Sequence, residues 1–402
     1  RVSRGNGTAD WRTVLIGGLG KGGRSYYALD VTDPAGMITG TDIAAQEANA
    51  AGKVLWEFSH VDLGYTYGEP AVVKSKRHGG KWVVLLPSGY NNSSGQGFIF
   101  VLNPKTGELI EKVRVDTDTA SGDGLAHLNA FVLDRTDGVA DAIYAGDLAG
   151  NVWRAELSTV LTTVDGDKVD SSYEAVAIAK LTNSSSQEQP VTTRPLIEVD
   201  PRTGRRFVLV GTGLMLDNTH IGSTVQQSFY AIVDGRSTRF GNASDLPSGI
   251  TFPIRRGNLA DNTNLLDDIA YNTTTQIGWY IEMGTGAGSL GWRVISDPSS
   301  AFGIVTFAST LPSGDACKPT GSSRIYAVSL GTGKSVLTSG VDYINYSTAL
   351  TGVVTDLRFF TVNGVPRLIA GSDSGELKAP PGTFGNAGTI RRLNWRELPV
   401  AN

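Results

Sequence analysis

An acidic turn in the middle of the chain has the residue types and spacing of a metal site. Asp134, Asp137 and Asp141 lie between two apolar runs, with a glycine at the bend. Carboxylate and carbonyl oxygens at nearly alternate positions around a sharp bend suit a hard cation such as calcium. Asp137, the backbone of Val139 and Asp141 follow this alternation, and a turn shortened by one residue would bring Asp134 into reach. The turn therefore predicts a calcium loop over residues 134–141, with the ligands Asp134, Asp137, Val139 and Asp141.

A metal-free interpretation of the same turn stays open. The two alternate positions before Asp137 are Leu133 and Arg135, and neither supplies a side-chain oxygen. Aspartate also bends loops without any metal, because its side chain bonds the nearby backbone. The guanidinium of Arg135 could even replace the cation by pairing with Asp137 or Asp141.

Strands on either side must position this turn. The stretch IYAGDLAGNVWRAEL (143–157) predicts a β-hairpin. An aromatic residue, an apolar strand, a polar or glycine turn and a second strand recur most clearly at 26–36, 98–115 and 325–337. The spacing of these units is irregular but of the order of one propeller blade, roughly 40–50 residues. Helix signals are few, and the Ala-rich residues 35–53 predict an insertion with a short helix. The chain is therefore predicted to be all-β, with about seven or eight blades.

The composition of the chain limits the classes of function that it can have. The chain has 402 residues, 50 glycines, 16 prolines and a net charge of −4, so no basic field indicates nucleic-acid binding. Its single cysteine, Cys317, cannot form an internal disulfide. No signal peptide and no apolar run of about 18 residues is present. The chain begins on what looks like mid-domain sequence, so we expect a fragment of a longer protein in which residues 1–402 form one propeller domain.

No catalytic constellation is apparent in the sequence. The histidines His60, His78, His127 and His220 are scattered, and no two of them have metal-ligand spacing. A serine hydrolase of the G-x-S-x-G type would need a nucleophile elbow, which the chain lacks. A non-enzymatic protein is the prediction.

Eight segments that follow one another along the whole chain carry recognisable motifs. They are 11–34 (WRTVLIGGLGKGGRSYYALDVTDP), 63–73 (LGYTYGEPAVV), 81–92 (KWVVLLPSGYNN), 137–157 (DGVADAIYAGDLAGNVWRAEL), 189–199 (QPVTTRPLIEV), 208–217 (VLVGTGLMLD), 226–234 (QQSFYAIVD) and 394–398 (NWREL). Together these segments resemble the PilY1/PilC family of type IV pilus tip and biogenesis proteins. Because they occur in order along the chain, the resemblance is more specific than any single acidic loop.

The resemblance implies a modified, quinoprotein-like β-propeller of seven blades with one calcium loop in its middle. It further implies a tip adhesin or biogenesis factor of the type IV pilus (fimbrium), which supports pilus extension, cell adhesion and twitching motility under calcium regulation. The expected location is the cell surface, at the pilus tip or the bacterial outer membrane. Expected partners are pilin or minor pilins and a host or surface receptor.

Two alternatives remain. The first is a metal-free envelope scaffold that binds a protein partner. The second is a quinone-dependent dehydrogenase, since the Thr-Gly repeats also resemble those propellers. Dehydrogenases of that kind typically place the quinone beside a vicinal cysteine pair, and a chain with Cys317 alone cannot form one.

Overall fold

Nearly all of the regular structure is β-strand. The computed structural model describes residues 2–3, 9–10, 12–115, 124–134, 136–157, 175–267, 272–284, 291–314, 319–339, 342–348, 350–362 and 365–380. Strands make up 47% and helices 7% of the described residues, against about 30–35% helix in typical soluble domains. The all-β prediction is confirmed. Arg135, Cys317 and the NWREL segment lie outside the described residues.

The strands are short, as chains rich in glycine turns require. In chain order they are β1 (Val2–Ser3), β2 (Ala9–Asp10), β3 (Val14–Gly18), β4 (Ser25–Asp30), β5 (Val54–Ser59), β6 (Ala71–Ser75), β7 (Lys81–Pro87), β8 (Phe98–Leu102), β9 (Leu109–Arg114), β10 (Leu125–Phe131), β11 (Val139–Ala140), β12 (Ala142–Asp147), β13 (Asn151–Glu156), β14 (Val176–Lys180), β15 (Leu196–Val199), β16 (Arg205–Gly211), β17 (Ser228–Arg236), β18 (Ala260–Asp261), β19 (Gly278–Glu282), β20 (Ser299–Ala301), β21 (Ile304–Gly314), β22 (Pro319–Ser329), β23 (Thr338–Ser339), β24 (Asp342–Tyr343), β25 (Val354–Val362), β26 (Val365–Ser372) and β27 (Leu377–Lys378).

These strands form consecutive antiparallel sheets of the propeller type. Within the described residues, six sheets have three to five strands, in the orders β3-β4-β5, β11-β6-β7-β8-β9, β10-β12-β13-β14, β15-β16-β17-β19-β18, β20-β21-β22 and β25-β26-β27. The first strands of successive sheets contact one another, in the pairs β6–β10, β10–β15, β15–β20 and β20–β25. Each sheet is thus one blade, and the blades follow chain order around a common centre. The seventh blade stays a prediction, since residues 381–402 lie outside the described part of the chain.

The core lies between the faces of neighbouring blades. Every residue of β8 and of β12 is buried, as expected for central strands covered on both sides. Aromatic rings join the fourth and fifth blades: the centroids of Phe229 and Phe307 are 3.9 Å apart, and Tyr326 stacks on Phe307 at 4.7 Å. The repeated aromatic positions in the sequence are therefore packing positions.

Helices occupy only connections. They are α1 (Ile43–Ala51) and the 3₁₀ turns Ala35–Ile38, Asn218–His220, Ala243–Asp245 and Arg256–Asn258. The Asp42 side chain caps α1 by accepting from the Ala45 backbone N–H at 2.9 Å. No residue of α1 is buried, so it is the predicted surface insertion. None of the described helices is long and apolar enough to span a membrane.

Candidate metal centre

The acidic turn connects the first two strands of the third blade. Strand β10 pairs with β12 in antiparallel register, Phe131 opposite Ala142, and the Asp141 N–H donates to the Phe131 carbonyl at 2.8 Å. Gly138 has φ = 65°, a backbone conformation that glycine adopts without strain. The flanking strands therefore hold the ends of the loop, as the sequence predicts.

The loop is also fastened to the preceding blade. Val139 and Ala140 form β11, which pairs in parallel with the end of β6 at Lys74 and Ser75. Parallel addition of a two-residue strand from the next blade was not apparent in the sequence. It places the backbone of Val139, the predicted carbonyl ligand, within a sheet rather than in a free turn.

Each predicted carboxylate bonds the loop backbone. Asp134 Oδ1 accepts from the Thr136 backbone N–H and hydroxyl at 2.8 and 2.6 Å, and these bonds hold the pKa of Asp134 below its usual range. Asp137 Oδ1 accepts from the Val139 N–H at 2.8 Å. Asp141 is 8% exposed, and its Oδ2 accepts from the Leu133 N–H at 2.7 Å. One oxygen of every carboxylate thus shapes the turn.

The donors are of the type that calcium takes, but they do not converge. In the part of the chain that the structure describes, no group of three histidine, cysteine, aspartate or glutamate side chains is arranged to hold a metal ion. Calcium takes six to eight oxygens, whereas here the three carboxylates cap separate backbone N–H groups. The ligand assignment stays a prediction for Asp134, Asp137, Val139 and Asp141. In this conformation the loop is an acidic turn whose carboxylates accept hydrogen bonds from its own backbone.

Asp147, at the next turn, has a purely structural environment. It is buried, and its carboxylate accepts from the Asn151 N–H, the Asn151 side-chain amide and the Trp153 indole N–H at 2.7–2.8 Å. Gly150 between them has φ = 81°. The DLAGNVW segment is therefore a side-chain-braced hairpin turn, which agrees with the hairpin predicted for residues 143–157.

Behind the loop lies a buried polar network that the sequence did not indicate. His78 Nδ1 is 2.8 Å from the Ser75 hydroxyl, and His78 Nε2 is 2.9 Å from Glu111 Oε2. Arg77 donates to Glu111 through Nε and Nη2 at 2.7–3.0 Å. Burial raises the pKa of Glu111, but the His78 and Arg77 bonds outweigh it and hold that pKa below its usual range. His78 and Glu111 are 33 positions apart in the sequence, so no local pattern indicates this contact.

The order serine, histidine, carboxylate resembles a hydrolase triad, but its environment does not. Ser75 is fully buried and its backbone pairs with Ala140 of the acidic loop. The Glu111 side chain is 1% exposed and is bonded by both Arg77 and His78. A nucleophile needs access to substrate, so this network acts as a brace between the second blade and the acidic loop.

In the part of the chain that the structure describes, six consecutive antiparallel sheets of three to five strands are the blades of a β-propeller domain, and the acidic loop lies in the third. The family model of the PilY1 β-propeller domain matches residues 3–272, and the chain belongs to this family. The resemblance found in the sequence is thus confirmed.

Relatives and a solved structure agree with this membership. The type IV pilus biogenesis factor PilY1 of Pseudomonas aeruginosa is 27% identical over 90% of this chain. A PilY1 homologue of Xylella fastidiosa is 28% identical over 81% of it. The chain spans only 32% and 22% of the length of these two relatives. The crystal structure of the Pseudomonas aeruginosa PilY1 C-terminal domain superposes with a TM-score of 0.67 at 26% identity, covering 92% of this chain and 81% of that one.

Proposed function

We propose that this chain is the propeller module of a type IV pilus biogenesis factor and has no enzymatic activity. The observation that carries the proposal is the match of fold and sequence to the PilY1 propeller domain over most of the chain. The module supports pilus extension and, through the assembled pilus, surface attachment and twitching motility. It sits at the cell surface, at the pilus tip or the outer membrane, where it contacts pilin or minor pilins.

Deletion of the module from its parent protein tests this role. The pilus assignment predicts that cells lose most surface pili, measured by shearing and immunoblotting of pilin, and lose twitching on agar. Total intracellular pilin is the control and stays unchanged, because the module acts after pilin synthesis. Normal piliation and normal attachment in the deletion strain would reject the assignment.

Calcium regulation is the finer part of the proposal. The acidic loop supplies oxygen donors of the kind calcium takes, and local opening of its backbone hydrogen bonds would free Asp134, Asp137 and Asp141 to turn toward a shared ion. Because β11 ties the loop to β6, ion binding would also tighten the contact between the second and third blades.

A calcium titration distinguishes this proposal from a metal-free scaffold. The metal-free alternative is favoured by the capping bonds, because each of the three carboxylates bonds a different backbone N–H. The proposal predicts a calorimetric signal and a rise in melting temperature with calcium, both lost in Asp141→Asn. Asp217→Asn is the matched control, since Asp217 caps an exposed turn through Thr219 with the geometry that Asp134 has with Thr136. The metal-free scaffold predicts no heat and no thermal shift for the unmodified chain.

A further inference from the structure

A cleft opens beside the end of β17, far in sequence from the acidic loop. Its volume is about 300 Å³, which is at the lower end of the range of small-ligand sites. The walls are the end of β17, the segment 239–252 and residues 273–277.

The floor of the cleft is apolar. Val233 and Ile277 are both 8% exposed and belong to the main core. Phe252 and Leu246 are partly buried and pack against the same core, so the floor is attached to the rigid part of the blade. A side chain entering the cleft would exchange water for these apolar surfaces, which favours a large aliphatic or aromatic group.

The rim of the cleft is cationic. Arg205, Arg236 and Arg239 line it, together with a single acid, Asp245. Arg239 donates to both oxygens of Asp245 at 2.6 and 2.5 Å. Arg236 is exposed and lies close enough to Asp245 for its charge to act on that carboxylate, but within the described residues its guanidinium donates no hydrogen bond. The rim therefore carries excess positive charge in a chain whose net charge is −4, and it suits an anionic group.

Buried side chains hold the backbone of the turn that carries Arg236 and Arg239. Arg206 is fully buried and its guanidinium donates to the carbonyls of Asp234, Arg239 and Arg236, the first two at 3.0 and 3.2 Å. The Gly241 carbonyl, on the next part of the wall, accepts from Arg154 at 2.9 Å. Buried guanidinium groups thus hold the turn in one conformation, and a preformed rim loses less entropy when it binds.

We propose that this cleft binds a short peptide segment of a partner protein in which a carboxylate lies beside an aromatic or large aliphatic side chain. The carboxylate pairs with Arg236 and competes with Asp245 for Arg239, because a guanidinium binds a carboxylate through two parallel hydrogen bonds. The apolar side chain covers Val233 and Phe252. This site is separate from the acidic loop and requires neither calcium nor a pilus.

Fluorescence anisotropy with the 402-residue chain tests the proposal. The probe is a labelled peptide, acetyl-Gly-Ser-Glu-Phe-Gly-Ser-amide, compared with versions that carry Gln for Glu or Ser for Phe. Each replacement should weaken binding about tenfold or more, since a charge-assisted hydrogen bond or a buried aromatic ring contributes that much. Added salt should also weaken binding of the Glu-Phe peptide.

Variants of the chain assign the binding to the cleft. Arg236→Glu and Leu246→Asp should each abolish binding, whereas Asp245→Asn should strengthen it by releasing Arg239. Arg367→Glu, which reverses an exposed arginine on β26, is the matched control and should bind like the unmodified chain. Melting temperatures of all four variants verify that they are folded.

Three results would overturn the proposal. The first is absence of binding by the Glu-Phe peptide at the highest concentration that stays soluble. The second is equal binding by the three peptides, or equal loss in Arg367→Glu and Arg236→Glu. The third is displacement of the Glu-Phe peptide by duplex DNA together with equal affinity for an all-acidic peptide, which would define a general polyanion surface.

Discussion

The buried ion pair between Arg154 and Asp234 should be a principal determinant of stability, and Asp234→Asn tests this. Asp234 is fully buried and accepts from Arg154 Nη1, from the Tyr144 hydroxyl at 2.6 Å and from the Gly241 N–H at 3.2 Å. Arg154 is itself 3% exposed. Neutralising Asp234 removes the fully buried partner of this guanidinium and leaves it, among the described residues, the Gly241 carbonyl, the Phe240 ring and the partly exposed Glu156.

The magnitude follows from the cost of leaving a buried guanidinium with Glu156, a partly exposed carboxylate, as its counter-charge. Removing one member of a buried pair destabilises a protein by about 3–5 kcal/mol. Asparagine keeps the shape of aspartate, so we expect about 3 kcal/mol, at the lower end of that range. The matched control is Asp245→Asn, which removes an acid from a second arginine pair whose Arg239 side chain is 53% exposed. Exposed pairs contribute only about 0–1 kcal/mol.

Urea unfolding followed by tryptophan fluorescence measures both variants. Asp234→Asn should lower the midpoint several times more than Asp245→Asn does. A double variant, Asp234→Asn with Arg154→Met, should lose less stability than the sum of its single changes, because it removes the buried charge together with its buried partner. Equal midpoints for Asp234→Asn and Asp245→Asn would refute the reasoning, since burial would then have no influence on the strength of these pairs.

Three further predictions concern the acidic loop and its neighbours. The folded-state pKa of Glu111 lies below its unfolded value of about 4.3. The ionised carboxylate therefore stabilises the fold above that pH, and this stabilisation is lost as the pH falls through the folded pKa. Between about pH 5 and pH 3 the urea midpoint should consequently fall less in Glu111→Gln than in the unmodified chain. Gly150→Ala should cost about 2–4 kcal/mol in urea unfolding, because its φ is 81° and a Cβ there would lie 2.6 and 2.7 Å from two carbonyl oxygens. Gly138→Ala should cost only about 1–2 kcal/mol, since its φ is also positive but a Cβ would meet no atom within 4 Å; an equal loss at the two glycines would contradict this contrast.

The sequence predicts local features well because they depend on neighbours along the chain. Alternating apolar residues around a glycine turn identified the hairpin of residues 143–157, and the Ala-rich stretch 35–53 identified the surface helix. The spacing of aspartates also located the acidic loop. It could not show that each carboxylate would bond the backbone of its own turn, as Asp137 does with the Val139 N–H, because that choice depends on side-chain rotamers.

Contacts between distant segments escaped prediction. Ser75, His78 and Glu111 come together only because β6 and β9 belong to one sheet, and no local pattern marks them. The arginine-rimmed cleft escaped prediction for the same reason, because its lining residues Arg205 and Ile277 lie 72 positions apart in the sequence. To predict that β11 pairs in parallel with β6, one must know how the third blade packs against the second. The hydrophobic periodicity of the sequence does not contain that information.

The two parallel strands, β11 and β18, also protect the rims of their blades against unwanted association. A free strand edge presents unpaired N–H and C=O groups that can template pairing with another molecule. Strand β11 covers part of the inner edge of β6, and β18 covers part of the outer edge of β19. Strands β11 and β18 are each two residues long, and they belong to connections between the main strands of the blades. Release of Val139 and Ala140 from β6 would therefore do more than free the carboxylates of the acidic loop: it would leave the backbone groups of Lys74 and Ser75 without their strand partners.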